Sequence, residues 1–220
     1  MGYLDFISQL HTKTERNYLE RMAKYDKAHC AQIAKKLDRD YWDGDRKYGY
    51  GGYHYDGRWK KVAEDMKKYY NLASGQKVLD IGCGKGFFLY DLKSLIPDIE
   101  IRGIDVSKYA LDNSKQEIKN FLDLGSACNL PYPDNYFDLI VSINTLHYLY
   151  INDLKKALQE IVRVGKDNGY IVVESYRNEK EKANLLCWQL TCECFFTPSE
   201  WEWLFKEFGY RGDYSFVFFE

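Results

Sequence analysis

The 220-residue chain lacks an apolar run near the ~18 residues that a membrane-spanning helix needs. It also lacks a basic block, and its 31 basic and 33 acidic residues leave a formal net charge of −2. Nucleic-acid binding is not expected, because phosphate recognition needs clustered positive charge. The first residues show no secretory leader, and Phe6 stands where a myristoylation motif needs serine or threonine. We therefore expect a cytoplasmic protein that binds neither membrane nor nucleic acid.

The six cysteines form no disulfide or metal-binding pattern. Cys83, Cys128 and Cys187 fall inside apparent helices or strands, where they would pack as small apolar residues. Cys192 and Cys194 form a C-x-C pair, which matches no common zinc spacing. We therefore expect reduced thiols and no metal site.

From residue 77 onward, apolar runs with strand character alternate with amphipathic stretches of helical period. The predicted strands are 77–81, 101–104, 121–124, 137–143, 170–173 and 214–219. The predicted helices are 87–95, 108–120, 154–164 and 198–208. Such alternation predicts an α/β fold, in which a Rossmann-like, doubly wound and mostly parallel sheet has helices on both faces.

We predict that residues 1–70 form a helical extension and that residues 71–220 form the main domain. The two together make one structural unit. Polar helical patterns cover residues 11–37, and an amphipathic one covers residues 58–71. Between them, residues 41–59 hold five tyrosines, two tryptophans and five glycines. Glycine at that density disfavours a stable helix. We predict an irregular cover over the functional site and call residues 41–59 the lid segment.

The sequence V-L-D-I-G-C-G-K-G at residues 78–86 has glycines at alternate positions after a predicted strand. Glycine allows positive φ and lets a ligand lie against bare backbone. A dinucleotide site has the spacing G-x-G-x-x-G, whereas here the third glycine comes one residue early. The carboxylate of Asp80, directly before the turn, would repel a pyrophosphate. It would favour a cationic ligand such as S-adenosylmethionine, which carries an ammonium and a sulfonium.

Four segments together resemble the class I S-adenosylmethionine-dependent methyltransferases, in the broad group that acts on small molecules. They are residues 80–86, 101–107, 127–138 and 142–148, and the resemblance covers about residues 74–175. It implies S-adenosylmethionine as cofactor, bound by Asp80, Gly82, Gly84, Gly86, Asp105, Val106, Ser126, Ala127 and Asn144. In particular, it implies that Asp105 accepts hydrogen bonds from the ribose hydroxyls and that Ala127 borders the adenine.

Two features of the sequence depart from the family pattern. Ser126 stands where the family usually has an aspartate that accepts from the adenine amino group, and a hydroxyl accepts less strongly. The family sheet usually ends in an antiparallel hairpin, but only residues 214–219 show a clear terminal strand. Either a further strand lies in residues 190–196, or the sheet is one strand short. A short sheet would leave an edge that a second subunit could cover.

Candidate catalytic residues follow the fourth and fifth strands. His147 is a candidate general base, since its ordinary pKa near 6.5 suits proton transfer. Glu174 ends an apolar strand, where an acid is costly without a partner or a purpose. In the lid segment, Arg46, Lys47 and Arg58 could hold a carboxylate or phosphate. The candidate substrate-binding residues are Arg46, Tyr50, Tyr53, His54, Arg58, Tyr148 and Tyr176.

These residues predict methyl transfer from S-adenosylmethionine to an oxygen, or else a nitrogen, of a small polar metabolite. A carbohydrate or nucleotide-linked precursor of a surface glycan is one such acceptor. Two alternatives stay open: a methyltransferase acting on protein or RNA, and a non-catalytic, cofactor-binding regulatory protein of the same fold. We expect a monomer or homodimer.

Overall fold

The computed structural model describes residues 2–11 and 18–220, in which a six-stranded, all-parallel sheet is flanked by helices. The strands are β1 Lys77–Ile81, β2 Glu100–Asp105, β3 Leu122–Leu124, β4 Phe137–Ile143, β5 Gly165–Glu174 and β6 Asp213–Val217. Their order in the sheet is β3-β2-β1-β4-β5-β6, and every pair is parallel. The chain reverses direction across the sheet between β3 and β4, as in a doubly wound fold. The predicted fold class is confirmed.

Helices cover both faces of the sheet. In chain order they are α1 Ser8–His11, α2 Tyr18–Lys24, α3 Lys27–Ala34, α4 Arg39–Trp42, α5 Trp59–Tyr69, α6 Phe87–Leu95, α7 Lys108–Asp112, α8 Ile151–Val164, α9 Glu179–Trp188 and α10 Pro198–Glu207. Short 3-10 turns occupy Lys119–Phe121 and Leu146–Tyr148. None of the described helices is both long and apolar enough to cross a membrane.

Alternate residues of each strand enter two separate apolar cores. In β1, Leu79 packs with α8 and α10 on one face, whereas Val78 packs with α5, α6 and α9 on the other. Both side chains are fully buried. Strands buried on both faces are continuously apolar, which explains why β1 and β4 are clear in the sequence. The two cores hold the carboxyl ends of the strands in fixed positions, and candidate site residues such as Asp80, Asp105 and Glu174 lie at those ends.

The prediction of a helix over residues 108–120 is wrong in its length, because the observed helix is shorter. The helix α7 ends at Asp112, because side chains beyond it bond to its last carbonyls. Asn113 donates its side-chain amide to Tyr109 O at 2.8 Å, and Ser114 donates its hydroxyl to Leu111 O at 2.7 Å. Such local side-chain bonds compete with helix continuation. The apolar spacing alone did not indicate this stop.

Within the described residues, the helical stretch predicted for residues 11–37 is divided into separate helices. The helix α3 starts anew after Asp26, whose carboxylate accepts from His29 N at 3.1 Å as an N-cap. Residues 12–17, and the side chains of Leu19 and Met22, lie outside the described residues. The division of the chain at residue 70 stays a prediction.

The sheet is one strand shorter than the family pattern within the described residues, since residues 190–196 contain no strand. The exposed edge of β6 is partly covered by the chain's own first residues. Leu4 N donates to Tyr214 O at 2.9 Å, and Tyr214 N donates to Gly2 O at 3.0 Å. This bridge is parallel to β6. A second subunit is therefore not needed to satisfy these backbone groups, as edge strands otherwise require.

The lid segment is fixed to the turn after β1 by an ion pair. Lys85, whose side chain is only 3% exposed, contacts both carboxylate oxygens of Asp43 at 2.7 and 2.8 Å. Asp43 also accepts from Tyr109 Oη at 2.9 Å and from Tyr53 N at 3.0 Å. These contacts hold the pKa of Asp43 below its usual value, against the opposing effect of its partial burial. Asp43 thus connects the lid segment to the turn and to α7.

We predict that Asp43→Ala lowers the free energy of unfolding by about 3 kcal/mol, because it leaves the Lys85 charge buried and unpaired. Asp43→Ala combined with Lys85→Met should be less destabilised than Asp43→Ala alone, since the unpaired charge is gone. Urea unfolding measures both. The control Asp45→Ala removes a carboxylate that is half-exposed and 3.4 Å from Lys47, so it should destabilise the protein much less. Equal effects of the two alanine variants would contradict the prediction.

Candidate active site

The turn after β1 requires glycine at two positions. Gly82 has φ +74°, and a Cβ there would lie 2.0 Å from Thr145 Oγ1. Gly84 has φ +55°, and a Cβ there would lie 2.8 Å from the Trp42 ring. Both positions therefore combine a left-handed backbone with a close neighbour, and any side chain would be strained. The backbone of this turn lies directly beneath the lid segment.

Two adjoining cavities lie along this turn. The larger, of about 200 Å³, is lined at one end by Asp105, Val106, Ser126 and Ala127. The smaller, of about 60 Å³, is lined by Asp80, Gly82 and Gly84. Both are also lined by Trp42, Tyr50, Gly82, Ile143 and Asn144. We call them together the cofactor cavities. Eight of the nine residues that the sequence assigns to the cofactor line them.

The ninth residue, Gly86, has a packing role in the structure. It lies at the start of α6 with φ +69°, and a Cβ there would lie 2.6 Å from Ile118 Cδ1. Gly86 lines none of the cavities described here. The third glycine of the turn thus lets α6 lie close to the segment around Ile118. The spacing of the glycines alone did not distinguish this packing role from contact with a ligand.

Asp80 is a buried acid with a strongly shifted pKa. Burial raises the pKa of its carboxyl to about 8, and the nearby charge of Asp105 adds to the effect. A carboxylate in such a place is costly unless a cation compensates it. The ammonium and sulfonium of S-adenosylmethionine would supply that positive charge. The acidic residue at this end of the cavities therefore fits the cofactor.

Asp105 is held by the backbone around it. Its Oδ2 accepts from Gly84 N and its Oδ1 from Ser107 N, each at 2.7 Å. The backbone of Val106 also contributes a hydrogen bond to this carboxylate, whose two oxygens together have about four acceptor positions, so capacity for a ligand hydroxyl remains. The two backbone bonds fix the plane of the carboxylate at the wall of the larger cavity. This geometry suits the two adjacent hydroxyls of a ribose.

Asn144 is placed in an unusual backbone conformation at the end of β4. Its φ is +54°, in the left-handed region that asparagine tolerates better than most residues. Its side-chain Oδ1 is buried and has no hydrogen-bond partner among the described residues. Buried polar atoms are nearly always bonded, so a donor from a ligand is expected here. Asn144 lines the cofactor cavities and a third cavity beside them.

Aromatic side chains of the lid segment form a roof over the turn. Trp42 stacks on Tyr50 with an interplanar angle of 7° and a centroid distance of 5.2 Å. Tyr50 lies 4.7 Å from Tyr53, which stacks on Phe87 of α6 at 5.1 Å. Trp42 is anchored separately, since its Nε1 donates to Ser107 Oγ at 2.9 Å. Trp42 was not among the site residues predicted from the sequence, where its only signal was the aromatic density of the lid segment.

The third cavity, of about 130 Å³, adjoins the cofactor cavities at Tyr50 and Asn144. We call it the acceptor cavity. The lid segment contributes Tyr41, Arg46, Tyr48, Gly49 and Tyr50 to its lining. Asn144 and Tyr148 after β4, and Glu174 at the end of β5, also line it, and residues 188–191, Val217 and Phe219 complete it. The hydroxyls of Tyr41 and Tyr148 are hydrogen-bonded at 2.9 Å, which joins the lid segment to the strand ends.

Glu174 and His147 are packed together at the inner end of the acceptor cavity. Glu174 is 6% exposed, lines the cavity and accepts a hydrogen bond from the Gln189 side chain. His147 Nδ1 accepts from Glu174 N at 3.4 Å, and its Nε2 lies 3.5 Å from Glu174 Oε2. The accepting Nδ1 places the ring proton on Nε2, which faces the carboxylate.

His147 differs from the expectation of a base accessible to substrate. The 3-10 turn Leu146–Tyr148 points its ring inward, and it is fully buried. Its backbone oxygen accepts from Glu193 N at 2.9 Å and from Cys194 N at 3.0 Å, so residues 193–194 pack beside it. Burial lowers the pKa of His147 to about 3, and the imidazole is neutral at ordinary pH.

The predicted substrate-binding residues separate into two groups. Arg46, Tyr50 and Tyr148 line the acceptor cavity, and Tyr53 lines the smaller cofactor cavity. His54, Arg58 and Tyr176 line none of the three cavities. The Arg58 guanidinium instead pairs with Asp56 at 2.6 Å, and the Lys182 ammonium lies 5.2 Å from the Tyr176 ring. No group of three or more His, Cys, Asp or Glu side chains in the described part of the chain could hold a metal ion.

The chain is similar to known methyltransferases. Residues 72–209 match the family described as methyltransferase domain. One similar protein is the tRNA (carboxymethyluridine(34)-5-O)-methyltransferase of Arabidopsis thaliana, 35% identical over 130 residues, or 59% of this chain and 30% of that protein. Another is the demethylmenaquinone methyltransferase of a Geobacillus species, 34% identical over 119 residues, or 51% of this chain and 50% of that protein. The chain spans half or less of the length of these relatives.

Solved structures share the fold. The YcgJ protein of Bacillus subtilis has a TM-score of 0.55 at 24% identity, covering 66% of each chain. A SAM-dependent methyltransferase of Archaeoglobus fulgidus has a TM-score of 0.54 at 24% identity, covering 70% of this chain and 69% of that one. The family match extends over more than half of the chain. The chain therefore belongs to the methyltransferase domain family, as a class I S-adenosylmethionine-dependent methyltransferase.

Proposed function

We propose that the chain transfers a methyl group from S-adenosylmethionine to an oxygen or nitrogen of a small polar metabolite. The acceptor cavity carries this proposal: it is small, about 130 Å³, and it adjoins the cofactor cavities at Tyr50 and Asn144. Its lining combines aromatic faces with hydroxyl, amide and carboxylate groups. A site of this size and composition suits a compact acceptor with several polar groups.

A macromolecular acceptor is the second candidate, and one observation favours it. A relative with 35% identity is a tRNA methyltransferase. Against it, the formal net charge is −2, and Arg46 is the one cationic side chain among the described residues that line the acceptor and cofactor cavities. Binding an RNA backbone rests on several phosphate contacts, so this distribution of charge supports the small acceptor.

In the proposed binding mode, Asp80 pairs with the cationic methionine end of the cofactor, and Asp105 accepts from the ribose. Asn144 offers its buried Oδ1 as an acceptor at the boundary with the acceptor cavity. When bound, S-adenosylmethionine supplies a methyl group on a sulfonium, and its transfer leaves neutral S-adenosylhomocysteine while the acceptor loses a proton. The lid segment would hold the acceptor in line and exclude water.

Glu174 is the group we assign to take that proton. It is the carboxylate that faces the acceptor cavity in the described residues. His147, in contrast, is enclosed, and a pKa of about 3 makes it a weak base. We assign His147 a positioning role: its ring contacts the Glu174 backbone and carboxylate together, which limits the rotamers open to that side chain.

We predict that cofactor affinity depends on pH through Asp80. Because its pKa is raised to about 8, the free protein holds this carboxyl mostly protonated at pH 6 to 7. A bound cation favours the ionised form, so binding releases a proton. The dissociation constant for S-adenosylmethionine should therefore fall by up to about tenfold per pH unit until the pH reaches about 8. Calorimetric titrations in buffers of different ionisation enthalpy measure both the affinity and the released proton.

The variant Asp80→Asn should bind more weakly at pH 8 and lose most of this pH dependence. Asp112→Asn is the control, because Asp112 is exposed and paired with Lys108 at 2.6 Å. If Asp80→Asn kept the dependence of the wild type, another group would be responsible for it.

The proposed function predicts that label from methyl-labelled S-adenosylmethionine enters the small-molecule fraction of a cell extract. Glu174→Gln should lower kcat by about 10²- to 10⁴-fold, the usual contribution of a general base, with unchanged affinity for S-adenosylhomocysteine. Glu193→Gln is the matched control, since Glu193 pairs with Lys35 and lines none of the cavities. A kcat for Glu174→Gln within about twofold of wild type would exclude Glu174 as the base.

The same experiment separates the alternatives. Label found only in RNA or protein would identify a macromolecular acceptor. Absence of label from every fraction, together with intact cofactor binding, would identify a regulatory protein that binds the cofactor without turnover.

A further inference from the structure

In the described part of the chain, two residues line all three cavities, Tyr50 and Asn144. Tyr50 belongs to the lid segment, whereas Asn144 directly follows β4. The roof and the sheet therefore each contribute one side of the junction between the cofactor cavities and the acceptor cavity. Methyl transfer aligns the acceptor atom, the methyl group and the sulfur, so the methyl group must cross this junction. Side chains that line the junction lie next to the reacting atoms.

Asn144 enters this junction from a fixed backbone. Its N donates to Val172 O of β5 at 3.0 Å, and its φ of +54° sets the direction in which the chain leaves the sheet. Thr145, the next residue, packs directly against Gly82. The Asn144 Oδ1 atom is buried and has no hydrogen-bond partner among the described residues, although buried polar atoms are nearly always bonded. Because the cavities adjoin this side chain, a bound ligand can supply the missing donor.

An amide oxygen accepts a hydrogen bond but is too weak a base to remove a proton, and this limits the donor it can serve. A hydroxyl acceptor has a single proton, which methyl transfer must release to a base. If Asn144 held that proton, it could not reach the base. An amino group has a lone pair and two N–H groups, so one N–H can stay bonded to Asn144 while the lone pair attacks the methyl group. The buried Oδ1 at the junction therefore suits a nitrogen better than an oxygen.

The charges around the three cavities also favour an amine. Among the described residues, their linings contain three carboxyl groups and one guanidinium, from Asp80, Asp105, Glu174 and Arg46. S-adenosylmethionine brings two cationic groups and one carboxylate of its own. With the cofactor bound and the carboxyls ionised, negative charge is left in excess. This excess attracts an amine, which reaches the site as an ammonium ion, and it disfavours an anionic acceptor. The aromatic faces of the acceptor cavity attract cations as well.

We propose that the methyl acceptor is a primary amine, and that Asn144 Oδ1 accepts a hydrogen bond from one N–H of its reacting nitrogen. This inference rests on the proposed function and chooses nitrogen over oxygen. The neutral amine attacks the methyl carbon with its lone pair, a C–N bond forms, and the C–S bond breaks with its electron pair left on sulfur. The resulting ammonium releases one proton, to Glu174 in the proposed mechanism, and keeps the N–H that is bonded to Asn144. Asn144 is thus a specificity-determining residue, because a tertiary amine lacks the N–H that it requires.

The first test identifies the atom that receives the methyl group. A metabolite extract is incubated with the protein and with S-adenosylmethionine isotopically labelled in its methyl carbon, and the NMR shift of that carbon in the product distinguishes N-methyl from O-methyl. We expect N-methyl products, and no product once the amines of the extract have been acetylated. O-methyl products, or unchanged labelling of the acetylated extract, would overturn this inference and leave methyl transfer intact. No label in any fraction would overturn the proposed function itself, and this inference with it.

The second test uses the amine fraction of the extract as substrate and varies Asn144. Asn144→Gly removes the acceptor oxygen and keeps the backbone, because glycine readily adopts positive φ. It should lower kcat/KM by about 10- to 100-fold, the loss expected for one buried hydrogen bond at the reacting centre. Calorimetry should give an affinity for S-adenosylhomocysteine within about twofold of wild type, since the lost contact is to the acceptor. Asn144→Asp restores an acceptor oxygen at the same place and should recover most of the loss.

Asn135→Gly is the matched control. Asn135 also has a left-handed φ, of +53°, but it is exposed and lines none of the three cavities. This variant should keep the kinetics and the cofactor affinity of the wild type. If Asn144→Gly behaved like Asn135→Gly, or if its affinity for S-adenosylhomocysteine fell as much as its kcat/KM, then Asn144 would not bind the acceptor, and the proposal would be overturned.

Discussion

The structure depends on the close approach of the lid segment to the turn after β1. Trp42 lies so near Gly84 that any side chain at residue 84 would meet its ring. The glycines therefore leave bare backbone on both sides of the turn. One side is left for a ligand, and the aromatic roof packs on the other. The cofactor cavities and the acceptor cavity all owe part of their lining to this roof, through Tyr50. Without the roof, the strand ends would form an open cleft.

Irregular segments seldom keep one position without specific contacts, and this one is positioned by polar and aromatic pairs. Two adjacent residues of the lid segment are fixed on the domain. Asp43 is fixed by its ion pair with Lys85, and Trp42 by its hydrogen bond to Ser107. A buried ion pair contributes little net stability compared with apolar packing, but it tolerates few alternative arrangements. The roof over the cofactor cavities is therefore held in one arrangement by specific contacts.

The sequence predicted most of the site that lies on regular structure. Asp80, Asp105 and Asn144 lie at the carboxyl ends of three neighbouring parallel strands, and these ends share one edge of the sheet. Side chains on the irregular lid segment were harder to assign, because their directions depend on individual φ and ψ angles. Arg46 and Arg58 look alike in sequence, yet an aspartate two residues away binds Arg58 outside the cavities. The inward turn at His147 is equally local, so its burial had no signal in the apolar pattern.

The electrostatics of the acceptor cavity give its side chains distinct roles. Burial raises the pKa of Tyr41, Tyr50 and Tyr148, and the charge of Glu174 contributes to each of these shifts. These hydroxyls therefore stay protonated at ordinary pH and can donate to an oxygen of the acceptor, but they cannot take a proton from it. A carboxylate differs from these hydroxyls, because in its ionised form it only accepts hydrogen bonds, and this is the form that the proposed role of Glu174 requires. Burial, with a contribution from the Glu174 charge, thus keeps three neighbouring tyrosines as donors, and in the proposed mechanism Glu174 accepts the proton that methyl transfer releases.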